Sequence, residues 1–269
     1  MGGGVVDFLE PRDPGSEGPE RDDDARDPVL DEHRTGELDF YRGNFETAIE
    51  HYRRAIRLEP THYRSHVGLV DSLLELERVE EAIAHVNETL ERYNRNTLVG
   101  VAGAHAALHG GRRRDAEEYI SISREHDPGE PYVWLVQAEV SISMGTAAYE
   151  VGSKEGQPAY CYERSLRLAG EGRVWTMRVG MSLLEWDRPA EALGYFEKAL
   201  AKKAVSPYIY FLCGRVYEAL EDFEKAIDFH KRALEIDPAH HRARGALKTL
   251  TGLGKAKRWI GKLLDDLTE

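Results

Sequence analysis

A repeat of 34 residues constrains the fold of this 269-residue chain more than any other feature of its sequence. Three separate series of residues follow it. Small residues stand at Ala48, Ala82 and Ala116 and again at Ala192 and Ala226; mostly large residues stand at Tyr52, Val86, Ile120, Tyr162, Phe196 and His230; small residues stand at Ala55, Thr89, Ser123, Ser165, Ala199 and Ala233. In the two longer series every step is 34 residues except one of 42. Three series that agree predict an architecture of stacked repeats.

Each period is predicted to be a pair of helices. Ala48, Tyr52 and Ala55 are spaced at i, i+4 and i+7, which places them on one face of a helix. Turn and stop signals follow at regular places: Gly43, Gly111 and Gly145 inside the pairs, and acid-proline pairs at 59–60, 127–128 and 237–238. Glycine favours a tight turn, and the residue before a proline avoids the helical region. Because one helix pair cannot bury its apolar face alone, the pairs are predicted to stack.

These positions resemble the tetratricopeptide repeat family. The best match is residues 207–240, which carry the family's large, small, aromatic and proline positions at Tyr210, Cys213, Gly214, Tyr217, Ala226, His230, Ala233 and Pro238. The resemblance implies an all-α protein, a right-handed α-solenoid of about six helix-turn-helix repeats with a C-terminal capping helix. The repeats are predicted at 29–62, 63–96, 97–130, 131–172, 173–206 and 207–240, with a partial repeat from 241.

Two flanking segments are predicted around the solenoid, which spans 28–252. Residues 1–27 are interpreted as a disordered acidic tail, because they are rich in Gly, Pro and Asp and have no helical period. Their short apolar cluster, Val5 to Leu9, is either a docking peptide or an incidental part of the tail. Residues 253–269 repeat apolar side chains at helical spacing beside basic ones, which predicts a capping helix over the last repeat. A helix of this kind also suits a membrane surface or an acidic partner.

The fourth repeat is eight residues longer than the others. The extra residues fall between Ala147 and Tyr162, where Gly152, Gly156 and Pro158 predict a loop. Insertions in solenoids lie on one face and often contact partners. A plain surface loop is equally compatible with the sequence, since the entropy cost of closing a loop grows slowly with its length. Both interpretations of the 148–157 insertion stay open.

The composition argues against several classes of function. A formal net charge of −12 argues against a general nucleic-acid binder, since such binding depends on neutralising phosphates. No stretch approaches the roughly 18 consecutive apolar residues of a membrane-spanning helix. The two cysteines, Cys161 and Cys213, are too few for a disulfide framework. We therefore predict a cytoplasmic protein with no nucleic-acid partner and no membrane span.

The sequence shows no catalytic motif. It has no GxxxxGK[ST] phosphate loop, no GxSxG nucleophile turn and no HExxH zinc motif. His105 and His109 are spaced at i and i+4, on one face of a helix. Two histidines do not make a metal site without a third ligand, so we interpret them as solvated groove side chains. The expectation is a protein that is not an enzyme and has no cofactor and no metal.

The predicted binding surface is the concave face of the array. In the family that the sequence resembles, positions 2, 5, 9 and 12 of each repeat point into this groove. The corresponding partner-binding residues are Leu98, Val101, His105, Leu108, Tyr132, Leu135, Ile142, Val174, Met177, Met181, Leu184, Tyr208, Phe211 and Arg215. Most of them are apolar, and methionine adapts to partners of different shape. An apolar or amphipathic segment of a protein or peptide partner is therefore expected to bind there.

The function predicted from these features is a non-catalytic protein–protein interaction scaffold or adaptor, acting in the assembly of a multiprotein complex. The alternative is a regulatory or accessory subunit of an enzyme or secretion complex that works through its convex surface and cap. An adaptor for chaperone tails is not expected, because the Lys and Asn clamp of related repeat domains is replaced here by residues such as Val67 and Asp71.

Overall fold

A computed structural model describes residues 27–93, 98–145, 156–170, 172–201 and 206–252, and every regular element in these residues is a helix. The first helices of the pairs are α1 (Pro28–Arg42), α3 (Tyr63–Glu75), α5 (Val99–His109), α7 (Pro131–Met144), α9 (Arg173–Glu185) and α11 (Pro207–Ala219). The second helices are α2 (Phe45–Leu58), α4 (Val79–Arg92), α6 (Arg113–His126), α8 (Pro158–Ala169), α10 (Pro189–Leu200) and α12 (Phe223–Ile236). A further helix covers 241–252. The prediction of an all-α solenoid is confirmed.

The residues of the 34-residue period form the core between the helices. The large residue of the second helix is buried in all six repeats, from Tyr52, which is 2% exposed, to Phe196 and His230, which are fully buried. The first and second helix of each pair pack on each other, and second helices such as α2, α4, α6 and α10 also pack on the next first helix. The core is therefore continuous along the array, as the period predicts.

The turn inside each pair needs one residue with positive φ. Gly43 and Gly111 supply it at φ 88° and 69°, and both were predicted as turn residues. At the same place three other repeats have Glu77, Asp187 and Glu221, with φ between 56° and 60°. Gly145, also a predicted turn residue, has a φ of 83° but a ψ of 168°, outside the left-handed helical region. A residue with a Cβ pays roughly 1–2 kcal/mol for this left-handed conformation. The geometry of the turn is thus retained in three repeats that lack the glycine that favours it.

Three of the predicted segments fall outside the described residues. These are the acidic tail as far as residue 26, most of the insertion, at 146–155, and the capping segment from 253 onward. The described part of the partial repeat, 241–252, is helical and contributes Ala243 and Leu250 to the buried interior, and His240, the residue before it, is buried as well.

Glycine in the first helix gives room for the large residue of the second. An ideal Cβ on Gly180 would lie 2.6 Å from the Phe196 ring, and one on Gly36 would lie 2.9 Å from the Tyr52 ring. Contacts under 3.0 Å force the neighbour to shift, and both rings are buried in the core. Close approach of the two helices of a pair therefore depends on this glycine.

We expect Gly180→Ala to lower the free energy of unfolding by about 1–3 kcal/mol, because it overpacks the site against Phe196. Gly194→Ala is the matched control: Gly194 lies inside α10 with nothing within 4 Å of its ideal Cβ. Alanine favours helix over glycine, so this change is expected to raise the free energy of unfolding by about 0.5–1 kcal/mol. Urea denaturation followed by circular dichroism measures both, and equal effects would contradict the packing argument.

Candidate functional site

The first helices of the six pairs form the inner wall of the solenoid. Each first helix contacts the next one, from α1 on α3 to α9 on α11. In the described residues, the second helices pack on their own partner or on the following first helix and lie on the outside. Side chains from repeats that are not neighbours in sequence therefore meet at the centre of the array.

The two ends of the array touch across this inner wall. Arg242, from the helix at 241–252, donates from Nη2 to Glu75 Oε1 of α3 at 3.0 Å. Its guanidinium carbon lies 5.0 Å from the centre of the Phe211 ring. The Tyr41 ring of α1 lies 4.6 Å from the Tyr208 ring of α11, measured between centroids. These contacts narrow the predicted concave groove to a cavity that stays partly open to solvent.

A buried ion pair joins the first repeat to the fifth. Arg178 of α9 donates from Nη2 to Glu37 Oε1 of α1 at 3.3 Å and from Nη1 to the Tyr132 hydroxyl. Burial disfavours the charged guanidinium, but Tyr132, Tyr41 and Glu37 outweigh it and raise the pKa of Arg178. Burial also raises the pKa of Glu37, and Arg178 offsets this only in part. The second carboxylate oxygen, Glu37 Oε2, has no hydrogen-bond partner, which explains why burial dominates at the carboxyl group.

A second polar cluster surrounds His105 of α5. Its Nδ1 lies 2.9 Å from Asp71 Oδ1 of α3, and its Nε2 lies 3.8 Å from both Glu139 Oε2 and Glu185 Oε1. His109 Nε2, one turn further along α5, lies 2.5 Å from Glu185 Oε1. Burial lowers the pKa of His105, but the carboxylates of Glu139, Asp71 and Glu185 outweigh it and raise the pKa well above its ordinary value. Burial raises the pKa of Glu139 to about 7.

A cavity of about 540 Å³ lies between these two clusters and the end of the array. Its lining residues are Phe40, Asp71, Leu74, Glu75, Glu77, His105, His109, Met181, Leu184, Glu185, Tyr208, Phe211, Leu212, Arg215 and Arg242. Two smaller cavities of about 60 Å³ adjoin Arg178. The volume of the largest lies within the range of roughly 300–1,000 Å³ that is usual for binding sites.

The predicted groove residues divide into two sets. Those with accessible surface are Leu98, His105, Ile142, Met181, Leu184 and Arg215. Those that are buried are Val101, Leu108, Tyr132, Leu135, Val174, Met177, Tyr208 and Phe211. The buried set packs between first helices, although Tyr208 and Phe211 also line the largest cavity with what remains of their surface.

The inner surface is also more charged than the predicted apolar strip. Three of its key charged residues were missed: Arg178 and Glu185 occupy positions 6 and 13 of their repeat, outside the four positions taken as inward-facing. Arg242 could have been found, because it stands 34 residues after Tyr208, at position 2 of the partial repeat. No sequence signal indicated that the ends of the array meet, which is what brings Arg242 to Glu75.

Comparison with known proteins gives a family match in two regions. The sequence model of the tetratricopeptide repeat matches residues 33–97 and 180–241. A curated rat protein, "Inactive peptidyl-prolyl cis-trans isomerase FKBP6", is 34% identical over 93 residues. That match covers 35% of this chain and 28% of the relative, so it spans little more than a quarter of the relative's length.

Solved structures resemble the whole described array. The human IFIT1 dimer with m7Gppp-AAAA has a TM-score of 0.56 and 18% sequence identity, covering 86% of this chain and 56% of that one. The human IFIT1 dimer with PPP-AAAA has a TM-score of 0.56 and 17% identity, covering 88% and 57%. At this level of identity the likeness concerns the fold alone. Among the described residues, no helix has the length and apolar character required to cross a membrane.

Proposed function

We propose that this chain, a member of the tetratricopeptide repeat family, is a non-catalytic scaffold that binds a segment of a partner protein in its inner cavity. Members of this family generally mediate protein–protein interactions. The observation that carries this proposal is the cavity of about 540 Å³ that the first helices and Arg242 line and that is open to solvent on one side. By binding a partner on this face, the chain would act in the assembly of a multiprotein complex.

The size of the cavity favours an extended segment over a helix. An α-helix with its side chains is roughly 10–12 Å across and rises 5.4 Å per turn. The cavity is partly open to solvent, so a helix could place a few side chains in its volume of about 540 Å³ without entering it whole. A few residues of extended chain would fit inside it, and we take an extended segment as the first candidate.

The lining favours an amphipathic peptide. Leu74, Met181 and Leu184 give it partly accessible apolar surface. Four carboxylate residues line it against two arginines, Arg215 and Arg242. This charge balance supports a peptide with basic and apolar side chains over a nucleic acid, whose phosphates need an excess of positive charge. The human IFIT1 structures contain m7Gppp-AAAA and PPP-AAAA, so RNA is the competing ligand that the test must include.

The chemistry of the described residues supports a binding role over a catalytic one. The ionisable groups of the inner wall are held in pairs with each other, as in Arg178 with Glu37 and His105 with Asp71. The thiol of Cys213 is buried, and burial raises its pKa to about 12, which makes it a poor nucleophile. We keep the cytoplasm as the proposed compartment, because a free buried thiol suits a reducing environment.

The test uses peptides selected on the full chain from a random peptide library. Their affinity is then measured by fluorescence anisotropy on Leu184→Lys/Arg215→Glu, which changes two accessible cavity residues. We expect binding at least about tenfold weaker, equivalent to about 1.4 kcal/mol, because the variant removes one apolar and one charged contact. The matched control is Arg167→Glu/Leu168→Lys, which makes the same kinds of change on the exposed face of α8.

Three outcomes decide the proposal. Loss of binding in the cavity variant with unchanged binding in the α8 control supports it. Unchanged binding in the cavity variant contradicts it and favours an accessory subunit that works through its outer surface, where Asn87, Asp115 and Tyr119 line a cavity of about 310 Å³ between α4 and α6. If the chain binds m7Gppp- or triphosphate-capped oligoadenylate more tightly than any selected peptide, the ligand of the cavity is RNA and the peptide proposal is wrong.

A further inference from the structure

Two histidines and one glutamate converge on one point of the inner wall, and a second glutamate lies beside them. His105 and His109 come from α5, Glu139 from α7 and Glu185 from the end of α9. One ligand atom each from His105, His109 and Glu185 lie within 4.8 Å of one another. Glu139 Oε2 lies 3.8 Å from His105 Nε2 but outside this group of three, so it would have to shift toward His109 and Glu185 to become a fourth ligand. The sequence offered only the histidine pair, and the missing further ligands come from other repeats.

Two of these atoms are buried without a hydrogen-bond partner. They are His105 Nε2 and Glu139 Oε2, and the Glu139 residue is only 3% exposed. Buried polar atoms are nearly always paired, so each exception calls for an explanation such as an ion. The two unpaired atoms face each other at a distance too long for a hydrogen bond. A ligand between them would satisfy both.

Asp71 holds His105 in the orientation that a metal ligand needs. The distance of 2.9 Å between His105 Nδ1 and Asp71 Oδ1 allows Nδ1–H to donate to the carboxylate. Nε2 is then the ring nitrogen that faces Glu139 and Glu185, and a metal ion bound there would displace its proton. Metal-binding histidines nearly always donate their second ring nitrogen to a carboxylate, a carbonyl or water in this manner.

We propose that His105, His109, Glu139 and Glu185 bind a divalent transition-metal ion, with Zn²⁺ as the best fit to two imidazoles and two carboxylates. Zinc lies about 2.0–2.2 Å from such ligands, so a tetrahedral ion separates its ligand atoms by roughly 3.3–3.6 Å. The two distances of 3.8 Å from His105 Nε2 are close to this value. The hydrogen bond of 2.5 Å between His109 and Glu185 would open to admit the ion.

A bound ion at this point would connect three successive repeats. Its ligands lie on α5, α7 and α9, so it would fix the angle between neighbouring helix pairs where the array bends around the cavity. The charge of +2 would be neutralised by Glu139 and Glu185, which removes the cost of burying an unpaired carboxylate. The site would therefore act as a structural clamp, and its binding of metal can be measured in the absence of any partner in the cavity.

The experiment measures metal binding by the full chain without any partner. After removal of metal with EDTA, ZnCl₂ is titrated by calorimetry, and CoCl₂ is added to record the visible d–d bands of tetrahedral cobalt. We expect one Zn²⁺ per chain and a higher melting temperature with zinc. His109→Ala/Glu185→Gln removes two accessible ligands and is expected to weaken binding at least about 100-fold, while Asp71→Asn weakens it about 10–100-fold through the orientation of His105.

The matched control is His126→Ala/His241→Ala, which removes two exposed histidines away from the cluster. It is expected to bind zinc like the unchanged chain. The proposal is overturned if the full chain binds no Zn²⁺, if the ligand variant binds it with unchanged affinity, or if the control loses as much affinity as the ligand variant. Circular dichroism of each variant confirms that a loss of binding is not a loss of fold.

Discussion

Replacement of Arg178 by methionine is expected to lower the free energy of unfolding by about 3–5 kcal/mol, the range for breaking a buried ion pair by removing one partner. Glu37 would remain buried with neither of its carboxylate oxygens paired to a guanidinium. Methionine keeps most of the volume of the side chain beside the Tyr132 and Trp175 rings, so lost packing contributes little. Chemical denaturation at neutral pH gives the difference.

The decrease in the free energy of unfolding caused by Arg178→Met is expected to depend on pH. Burial already raises the pKa of Glu37 above its ordinary value of 4.5, so the carboxyl group reduces stability as pH rises from that value through the folded-state pKa. Without Arg178 the pKa of Glu37 rises further, so the pH range over which this carboxyl group lowers stability becomes wider. The variant should therefore lose less stability at pH 5 than at pH 8. Arg178→Met/Glu37→Leu is expected to recover most of the loss at pH 8; a double variant as unstable as the single one would contradict this account.

Truncation after Pro238 is the second change with a large expected effect. It removes the helix at 241–252 and with it His240, Ala243 and Leu250 from the buried interior. A buried Leu side chain contributes roughly 1.5–3 kcal/mol and each aromatic contact about 0.5–1.5 kcal/mol. We expect a loss on the order of 3–5 kcal/mol, together with self-association through the uncovered rings of α11.

Truncation after Gly252 is the control, since it keeps the whole described helix. Light scattering after size-exclusion chromatography and urea denaturation compare the two shortened chains. A chain ending at Pro238 that stays monomeric and as stable as the longer one would show that residues 239–252 do not cover the last repeat. If instead the chain ending at Gly252 also aggregates, the covering surface extends into 253–269, as the sequence predicts for a cap.

The fold could be predicted because the same spacing of small and large residues is repeated in six helix pairs. Tyr52, Phe196 and His230 recur at one spacing and are all buried, and a helix pair of fixed length leaves few ways to stack. The inner surface could be predicted only in part, since position within a repeat gives the direction of a side chain. It placed His105, Met181 and Arg215 on the cavity. It did not give the depth at which Met177 and Phe211 lie, which depends on the neighbouring repeats.

The charged clusters could not be predicted from local patterns. Arg178 meets Glu37 across 141 residues of sequence, and Glu185 reaches the α5 histidines from two repeats away. Such contacts depend on the curvature of the whole array, which is the sum of small rotations between pairs. Helices α3, α7 and α9 each place one carboxylate near His105. Within its own repeat, however, each of these acidic residues resembles an ordinary solvated side chain.

The contact between the two ends of the array changes where local unfolding can begin. An open solenoid behaves as a one-dimensional chain with two free ends, and its terminal repeats open first. Here Arg42 binds Asp237 at 3.0 Å across 195 residues, and Arg242 binds Glu75 across 167. The row of repeats becomes a ring in which the first and last repeats are also neighbours. Fraying of α1 would have to break contacts with α9, α11 and Asp237 at the end of α12, so amide exchange in α1 and α12 should slow together. Because closure joins the most distant parts of the chain, it would form late in folding, after the locally determined helix pairs.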